Sequence, residues 1–259
     1  MIDRAQVLAQ YDREIRRDPP PYEGVRVERA GPVVRVVGRD NFVIYSELTS
    51  ENARRVVAEQ ARFFRALGHE AEWKLFGHDT PDDLERILAA EGFVPDEPET
   101  LLVFDLRQGT PGTPPAPGIE VRRVTEEREL PDVAAANLAA FGPSEPTPPE
   151  KYVTMFHDPS QTLYVAYAGG EPVASGRLDT PAGRSFAGIY GGGTAPAHRH
   201  HGVYRALVHA RAELARDRGY RYLVVDARET SRPILERLGF EPLTSTRPWV
   251  LRPAAGPSP

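Results

Sequence analysis

The residues with most chemistry to offer lie between Gly191 and Gly219, in GGGTAPAHRHHGVYRALVHARAELARDRG. The stretch reads as a strand end, a tight polar loop and an amphipathic helix opened by Arg199-His200-His201-Gly202-Val203-Tyr204. N–H groups in a first helical turn lack intrahelical acceptors and carry partial positive charge, to which Arg199 adds a full one. Gly202 lets backbone approach phosphate oxygens with no Cβ in the way. A group with two phosphates is the natural guest. The stretch is not a P-loop, since it lacks a Gly-Lys-Ser/Thr ending and an obvious magnesium aspartate. Nor is it a dinucleotide fingerprint, because its glycines precede Pro196 rather than making the turn. A plainer reading stays open: Gly191-Gly192-Gly193 as a bulged strand end and Arg199 as a capping group. His198, His200 and His201 suit a metal poorly, since adjacent histidines do not easily share one ion and no carboxylate lies beside them at helical spacing.

A second cluster, His78-Asp79, could form a metal or acid–base pair. The residues after it favour a helix start instead. Thr80 suits an N-cap, Pro81 the first helical position, and Asp82 and Asp83 the helix dipole.

These groups need a scaffold, and the composition supplies an ordinary one. The 259 residues are 40% hydrophobic and 27% charged, as expected of a soluble globular protein with room for two domains. No apolar run approaches the ~20 residues of a membrane span. The N-terminus, MIDRAQVLAQYDREIRR, lacks the apolar core of a secretory signal, so a cytoplasmic location is expected. A net charge of −5 does not suggest a nucleic-acid binder. Cysteine is absent, which excludes disulfides, thiolate metal sites and a cysteine nucleophile.

The proline-rich segment 109–118 (GTPGTPPAPG) separates residues 1–108 from 119–252, and a loosely attached tail follows over 253–259. In the first part we expect a helix over Ile2 to Arg17, strands over Val33 to Val37 and Phe42 to Leu48, and a helix capped by Thr49-Ser50 running to Leu67. A strand over Ala71 to Phe76, a helix opened at Thr80 and a closing strand over Leu101 to Leu106 complete it. In the second part we expect strands over Ile119 to Val124, Leu163 to Ala168, Pro172 to Leu178, Arg184 to Tyr190, Tyr222 to Val225 and near Trp249 to Leu251. Helices are expected over Leu130 to Phe141, Lys151 to His157, Val203 to Arg218 and from Thr230 or Ser231 to Leu238, with a rigid exposed loop over Gly142 to Pro149. This is a mixed α/β pattern.

The chain also repeats itself. RALGHEAEWKLFGHDTPDDLERILAAEGFVP in the first part parallels RDRGYRYLVVDARETSRPILERLGFEP in the second, with Leu84-Glu85-Arg86 and Leu235-Glu236-Arg237 preceding Phe93 and Phe240. The ordered series points to internal duplication. Only the second copy has the glycine-arginine loop, so one phosphate-binding site is expected.

Residues Gly192 to Phe240 resemble the GCN5-related N-acetyltransferase (GNAT) superfamily. Arg199-x-x-Gly202-x-Tyr204 matches its R/Q-x-x-G-x-G/A signature, preceded by Thr194-x-Pro196 and followed by Leu238-Gly239-Phe240. The whole chain is similar to tandem GNAT proteins, with a degenerate first half. The resemblance implies two domains of mixed α/β class, each a mostly antiparallel mixed sheet flanked by helices. It also implies acetyl-CoA as cosubstrate, with no metal. Backbone groups of Gly192, Gly193 and Thr194 would hold the pantetheine arm. Arg199, His200, His201, Gly202, Val203, Tyr204 and Arg205 would wrap the pyrophosphate. Tyr204 departs from the family, which usually has a small residue there.

On this resemblance an amine attacks the thioester directly, consistent with the missing cysteine. The tyrosine that the family often uses as acid falls at Leu235, and the strand Arg184 to Tyr190 contains no carboxylate. Tyr190 and Asp226, near strand ends, and Ser231 are the candidates left for proton transfer, with Tyr204 or a water as other substitutes for the acid; His157 is a weaker one. Tyr190 also reads as packing, and Asp226 as a cap or a partner of Arg228. The expected partner is a small-molecule or peptide amine, with no nucleic acid or membrane, and the chain as a monomer with an internal pseudo-dimer or as a homodimer. A catalytically inactive acyl-CoA sensor is the alternative.

Overall fold

A computed structural model describes residues 2–143 and 147–253. The middle of the loop expected over Gly142 to Pro149, and the tail beyond Pro253, lie outside the described residues. The chain divides into two compact units. One comprises Met1–Leu101, Asp226–Arg232 and the stretch from Pro242 onward; the other comprises Leu102–Val225 and Pro233–Glu241. Compactness thus assigns the C-terminal strand to the unit that holds the first hundred residues.

The first unit opens with α1 (Arg4–Tyr11), capped by Asp3, whose carboxylate accepts from the Gln6 N–H at 3.1 Å. One wider turn, Asp12–Arg16, extends it. Strands β1 (Val25–Ala30), β2 (Val33–Gly38) and β3 (Phe42–Ser46) form an antiparallel meander. Helix α2 (Ala53–Leu67) then leads to β4 (Ala71–Phe76), which pairs parallel to β3. Ala53, Val56, Val57, Ala61 and Phe64 are the buried stripe of α2, and Gly68, at φ 71°, ends it. Helix α3 (Leu84–Ala90) and the short β5 (Val94–Pro95) follow. Trp73 and Phe93 meet edge to face at 6.2 Å in the core, alongside Val43, Phe64 and Leu88.

Strand β6 (Glu99–Asp105) spans the division between the units. The second unit continues with β7 (Ile119–Arg123), α4 (Leu130–Phe141), α5 (Pro149–His157), β8 (Gln161–Ala168), β9 (Glu171–Asp179) and β10 (Phe186–Thr194). Helix α6 (Val203–Asp217) leads to β11 (Tyr222–Arg228), and α7 (Arg232–Arg237) to β12 (Glu241–Leu251). Strands β7 to β10 are antiparallel neighbours in sequence order, and β11 runs parallel to β10. Val133, Ala136, Tyr152 and Met155 of α4 and α5 pack with Leu163 and Val165 of β8. In the first unit, β12 pairs antiparallel with β4, placing Trp249 opposite Trp73.

Each unit therefore contains an antiparallel meander, a crossing helix and a parallel strand: β3-α2-β4 and β10-α6-β11. Both helices have 15 residues, and each is followed by a left-handed glycine, Gly68 or Gly219.

Four local expectations change. Thr49-Ser50 does not cap α2, because the Asn52 side chain accepts from the Thr49 N–H at 2.9 Å and helix begins after Asn52. Thr80 does not cap α3, because its hydroxyl donates to the Leu48 carbonyl at 2.8 Å and the helix starts after Asp83. The strand expected to stop at Tyr190 continues to Thr194, and the last strand begins eight residues before Trp249, at Glu241.

Candidate functional site

Helix α6 is built from the periodic burial of Val203, Ala206, Leu207, Val208, Ala212 and Ala215, which fixes its axis against the sheet. Its N-terminus has no capping side chain. The N-cap is Gly202, at φ 83°, which has no side chain to accept from the first turn. The N–H groups of Val203, Tyr204 and Arg205 thus stay available to an outside acceptor. The approach from β10 passes through one 3-10 turn, Pro196–His198, and then His200 at φ 66°. Left-handed residues at 200 and 202 curl the backbone into a concave turn of the kind that gathers N–H groups around an anion. His200, His201 and Arg205 are exposed; Val203 is buried, so it offers backbone alone.

Arg199 anchors this turn. Its Nε donates to the Thr194 carbonyl at 3.2 Å and one Nη to the Ala140 carbonyl at 3.4 Å, tying the turn to the ends of β10 and α4. Among the described residues no carboxylate pairs with Arg199.

At the other end of the turn, β10 breaks step with β9. Tyr190 faces Arg177, but the next facing pair is Gly193 with Ser175, so two residues of β10 oppose the single Gly176. Gly191, at φ 59°, adopts the backbone this break requires. A Cβ on Gly193 would lie 2.6 Å from the Phe141 ring and 2.8 Å from Ala140. Thr194 is buried, and among the described residues its hydroxyl has no hydrogen-bond partner. The parallel pairing of β10 with β11 ends at Gly188–Val224, six residues before β10 does.

Tyr204 does not lean over the turn. Its ring points at the sheet, 3.3 Å from where a Gly192 Cβ would stand, and burial pushes its phenol upward. Beside it lies Arg211, 1% exposed, which sequence reasoning passed over. Its signal was its register, because Val203, Leu207 and Arg211 recur every four residues on the buried face. Burial pushes the guanidinium down to about 10.

The remaining candidates are held elsewhere. Asp226 and Ser231 belong to the first unit, Tyr190 to the second. One Asp226 oxygen lies 3.0 Å from the Lys74 ammonium and the other accepts from the Thr246 hydroxyl at 3.1 Å. Arg228 pairs instead with Glu97 at 3.5 Å. The Ser231 hydroxyl donates to the Arg228 carbonyl at 3.2 Å. The Tyr190 ring lies 5.3 Å beneath the Arg177 guanidinium and folds back over Gly188. Leu235, in the position of the family's frequent tyrosine, is wholly buried. His157 is exposed, 3.7 Å from Glu127. His78 and Asp79 join a structural cluster. The buried Arg16 pairs with Asp79 at 2.6 Å and Asp12 at 2.8 Å, and His78 Nε2 lies 3.0 Å from Asp12. Among the described residues no group of three His, Cys, Asp or Glu is placed to hold a metal. No helix among them is long and apolar enough to cross a membrane.

The acetyltransferase (GNAT) family model matches residues 130–240, which run from the start of α4 through Phe240. No curated protein matches the chain. Among solved structures, it is similar to a GCN5-related N-acetyltransferase from Kribbella flavida, at 17% identity and TM-score 0.71, covering 99% of this chain and 97% of that one. A GCN5-related N-acetyltransferase from Sphaerobacter thermophilus matches at 15% identity and TM-score 0.63, over 97% and 86% of the two chains. A tandem GNAT protein from the clavulanic acid biosynthesis pathway matches at 14% identity and TM-score 0.59, over 92% and 86%. At these identities the structures share a fold. The family match supports placing residues 130–240 among the GNAT acetyltransferases.

Proposed function

We propose that this chain, which carries a GNAT acetyltransferase region over residues 130–240, transfers an acetyl group from acetyl-CoA to the amine of a small molecule or peptide. The observation that carries the reading is the uncapped start of α6 joined by a concave turn to the broken end of β10. The residues fit the coenzyme. The α6 N–H groups and the Arg199 charge complement a diphosphate, and the unpartnered Thr194 hydroxyl and the side-chain-free Gly192 suit a polar, slender arm.

The donor supplies an activated thioester carbonyl. The amine nitrogen bonds to the acyl carbon as the carbon–sulfur bond breaks, and the proton lost by nitrogen balances the thiolate released. The chain's contribution is to hold the donor and to present backbone N–H groups near Gly192 to the carbonyl oxygen as it gains charge. Tyr190 is the candidate proton carrier in the unit that bears the turn. Asp226 and Ser231 would first have to leave the partners described above. The element order shared by the two units supports a tandem origin in which the first copy, whose α2 starts without a glycine-arginine turn, binds no donor of its own.

The buried leucine at position 235 favours one other reading, a module that binds acyl-CoA without turning it over. Calorimetry with acetyl-CoA and thiol release across a panel of amines separate the two. Thiol release that depends on an amine supports the enzyme; binding without release supports the sensor. Arg199→Glu should weaken acetyl-CoA binding at least about tenfold by reversing a charge at the anion site. Unchanged affinity would remove the proposed diphosphate turn.

A further inference from the structure

Arg211 lies two turns into α6, in register with Val203 and Leu207, and so enters the sheet rather than solvent. Its Nε donates to the Leu207 carbonyl at 3.0 Å. One Nη donates to the Arg177 carbonyl at 3.2 Å and the Tyr190 carbonyl at 3.4 Å. Those carbonyls belong to the last facing pair before β9 and β10 lose step. The guanidinium therefore spans the two strands where the break begins. Two glycines make room for it. A Cβ at Gly176 would stand 2.8 Å from one Nη, and a Cβ at Gly192 would stand 3.2 Å from the other. That second Nη is buried, has no hydrogen-bond partner among the described residues and lies behind Gly192. Among the described residues no carboxylate pairs with Arg211.

A buried cation held only by carbonyl dipoles is a costly arrangement in an empty site. Its electrostatic complement is negative charge at the strand break, where the reading above puts the carbonyl oxygen of the donor. We propose that Arg211 is a positioning residue for acyl transfer: it places a fixed positive charge behind the N–H groups that face the reacting oxygen. The inference rests on the acetyltransferase reading. Because the charge is fixed before reaction and shielded from water, it favours the charge-bearing transition state over the neutral thioester.

The test compares Arg211→Met and Arg211→Lys with the unsubstituted full-length chain, using thermal melting without ligand, calorimetry with acetyl-CoA, and steady-state kinetics with an amine that the unsubstituted protein accepts. Arg211→Met should melt at or above the parent temperature, because an apolar side chain of similar length replaces an unpaired buried charge. Its kcat should fall at least about tenfold with the KM for acetyl-CoA nearly unchanged. Arg211→Lys should recover part of kcat, since it keeps the charge and loses the fork. A merely structural arginine predicts the opposite: a lower melting temperature, with any loss of activity following the loss of fold. Undiminished kcat in Arg211→Met, or Lys no better than Met, overturns the inference alone. If Met does not fold, the Lys variant decides by whether its kcat falls while its melting temperature holds. Acetyl-CoA binding without turnover on any amine overturns the inference and leaves the donor site standing. No acetyl-CoA binding by the unsubstituted protein overturns both.

Discussion

The Lys74 ammonium stands 3.0 Å from the Asp226 carboxylate, and 3.2 Å away on its other side is Glu99. Burial opposes the charge on Lys74, but Asp226, Glu99 and Glu72 outweigh it and push its pKa upward. Lys74→Met would leave these carboxylates facing one another in a poorly solvated place. Urea denaturation should show a loss of about 3–5 kcal/mol. A loss below about 1 kcal/mol would mean that water already screens the cluster.

Glu72 tests the same cluster by pH. Its pKa is raised above the ordinary carboxylate range, first by burial and then by Glu99, Asp226 and Asp96, against the pull of Lys74. The folded state thus holds the Glu72 proton to higher pH than the unfolded state does. Stability is fullest below the unfolded value and falls as pH rises through the folded one. Glu72→Gln should remove that decline, raising the melting temperature by a few degrees at pH 8 and little at pH 4. Equal shifts at both values would count against burial as the cause.

His200 is the one non-glycine residue with positive φ among the described residues, at 66°. A β-branched side chain is strained there, so His200→Val should cost about 1–2 kcal/mol and weaken acetyl-CoA binding by turning the N–H groups of the loop away. His200→Gly relieves the strain and should bind acetyl-CoA as the parent does. Chemical denaturation and calorimetry read both effects. Loss of binding in the glycine variant would show that the imidazole itself contributes.

Gly193 sits where the end of α4 comes closest to β10. Gly193→Val would press on Ala140 and the Phe141 ring, and one of them must move. The expected cost is about 1–3 kcal/mol of stability. Because Arg199 donates to the Ala140 carbonyl, the displacement should carry into the turn before α6 and, on the proposed function, raise the KM for acetyl-CoA. A stability loss with KM unchanged would separate the α4 end from the donor site.

The elements that sequence reading located well are those that carry their own period. Helix α4 runs over Leu130–Phe141 as expected, and α6 ends within a residue of its expected limit. Strand β1 escaped notice because VRVERA alternates weakly and none of its residues is buried. Most of β12 escaped because EPLTSTRP has no apolar run. It is a strand because β4 supplies its hydrogen-bonding partners, some 170 positions earlier in the chain.

The turn before α6, to which we assign the diphosphate, was legible as a backbone feature, since glycine at 202 and the helix start at Val203 are local matters. By itself the sequence determined the mixed α/β alternation and the place of the glycine that opens α6. Tertiary structure alone decided what the charged side chains do. Asp226 meets Lys74 only because their strands share a unit, and Arg211 enters the sheet only because Gly176 and Gly192 leave room behind the strand break. Local sequence specifies backbone conformation through short-range sterics and periodic burial. The partner of a buried charge depends on which distant strands are brought beside it.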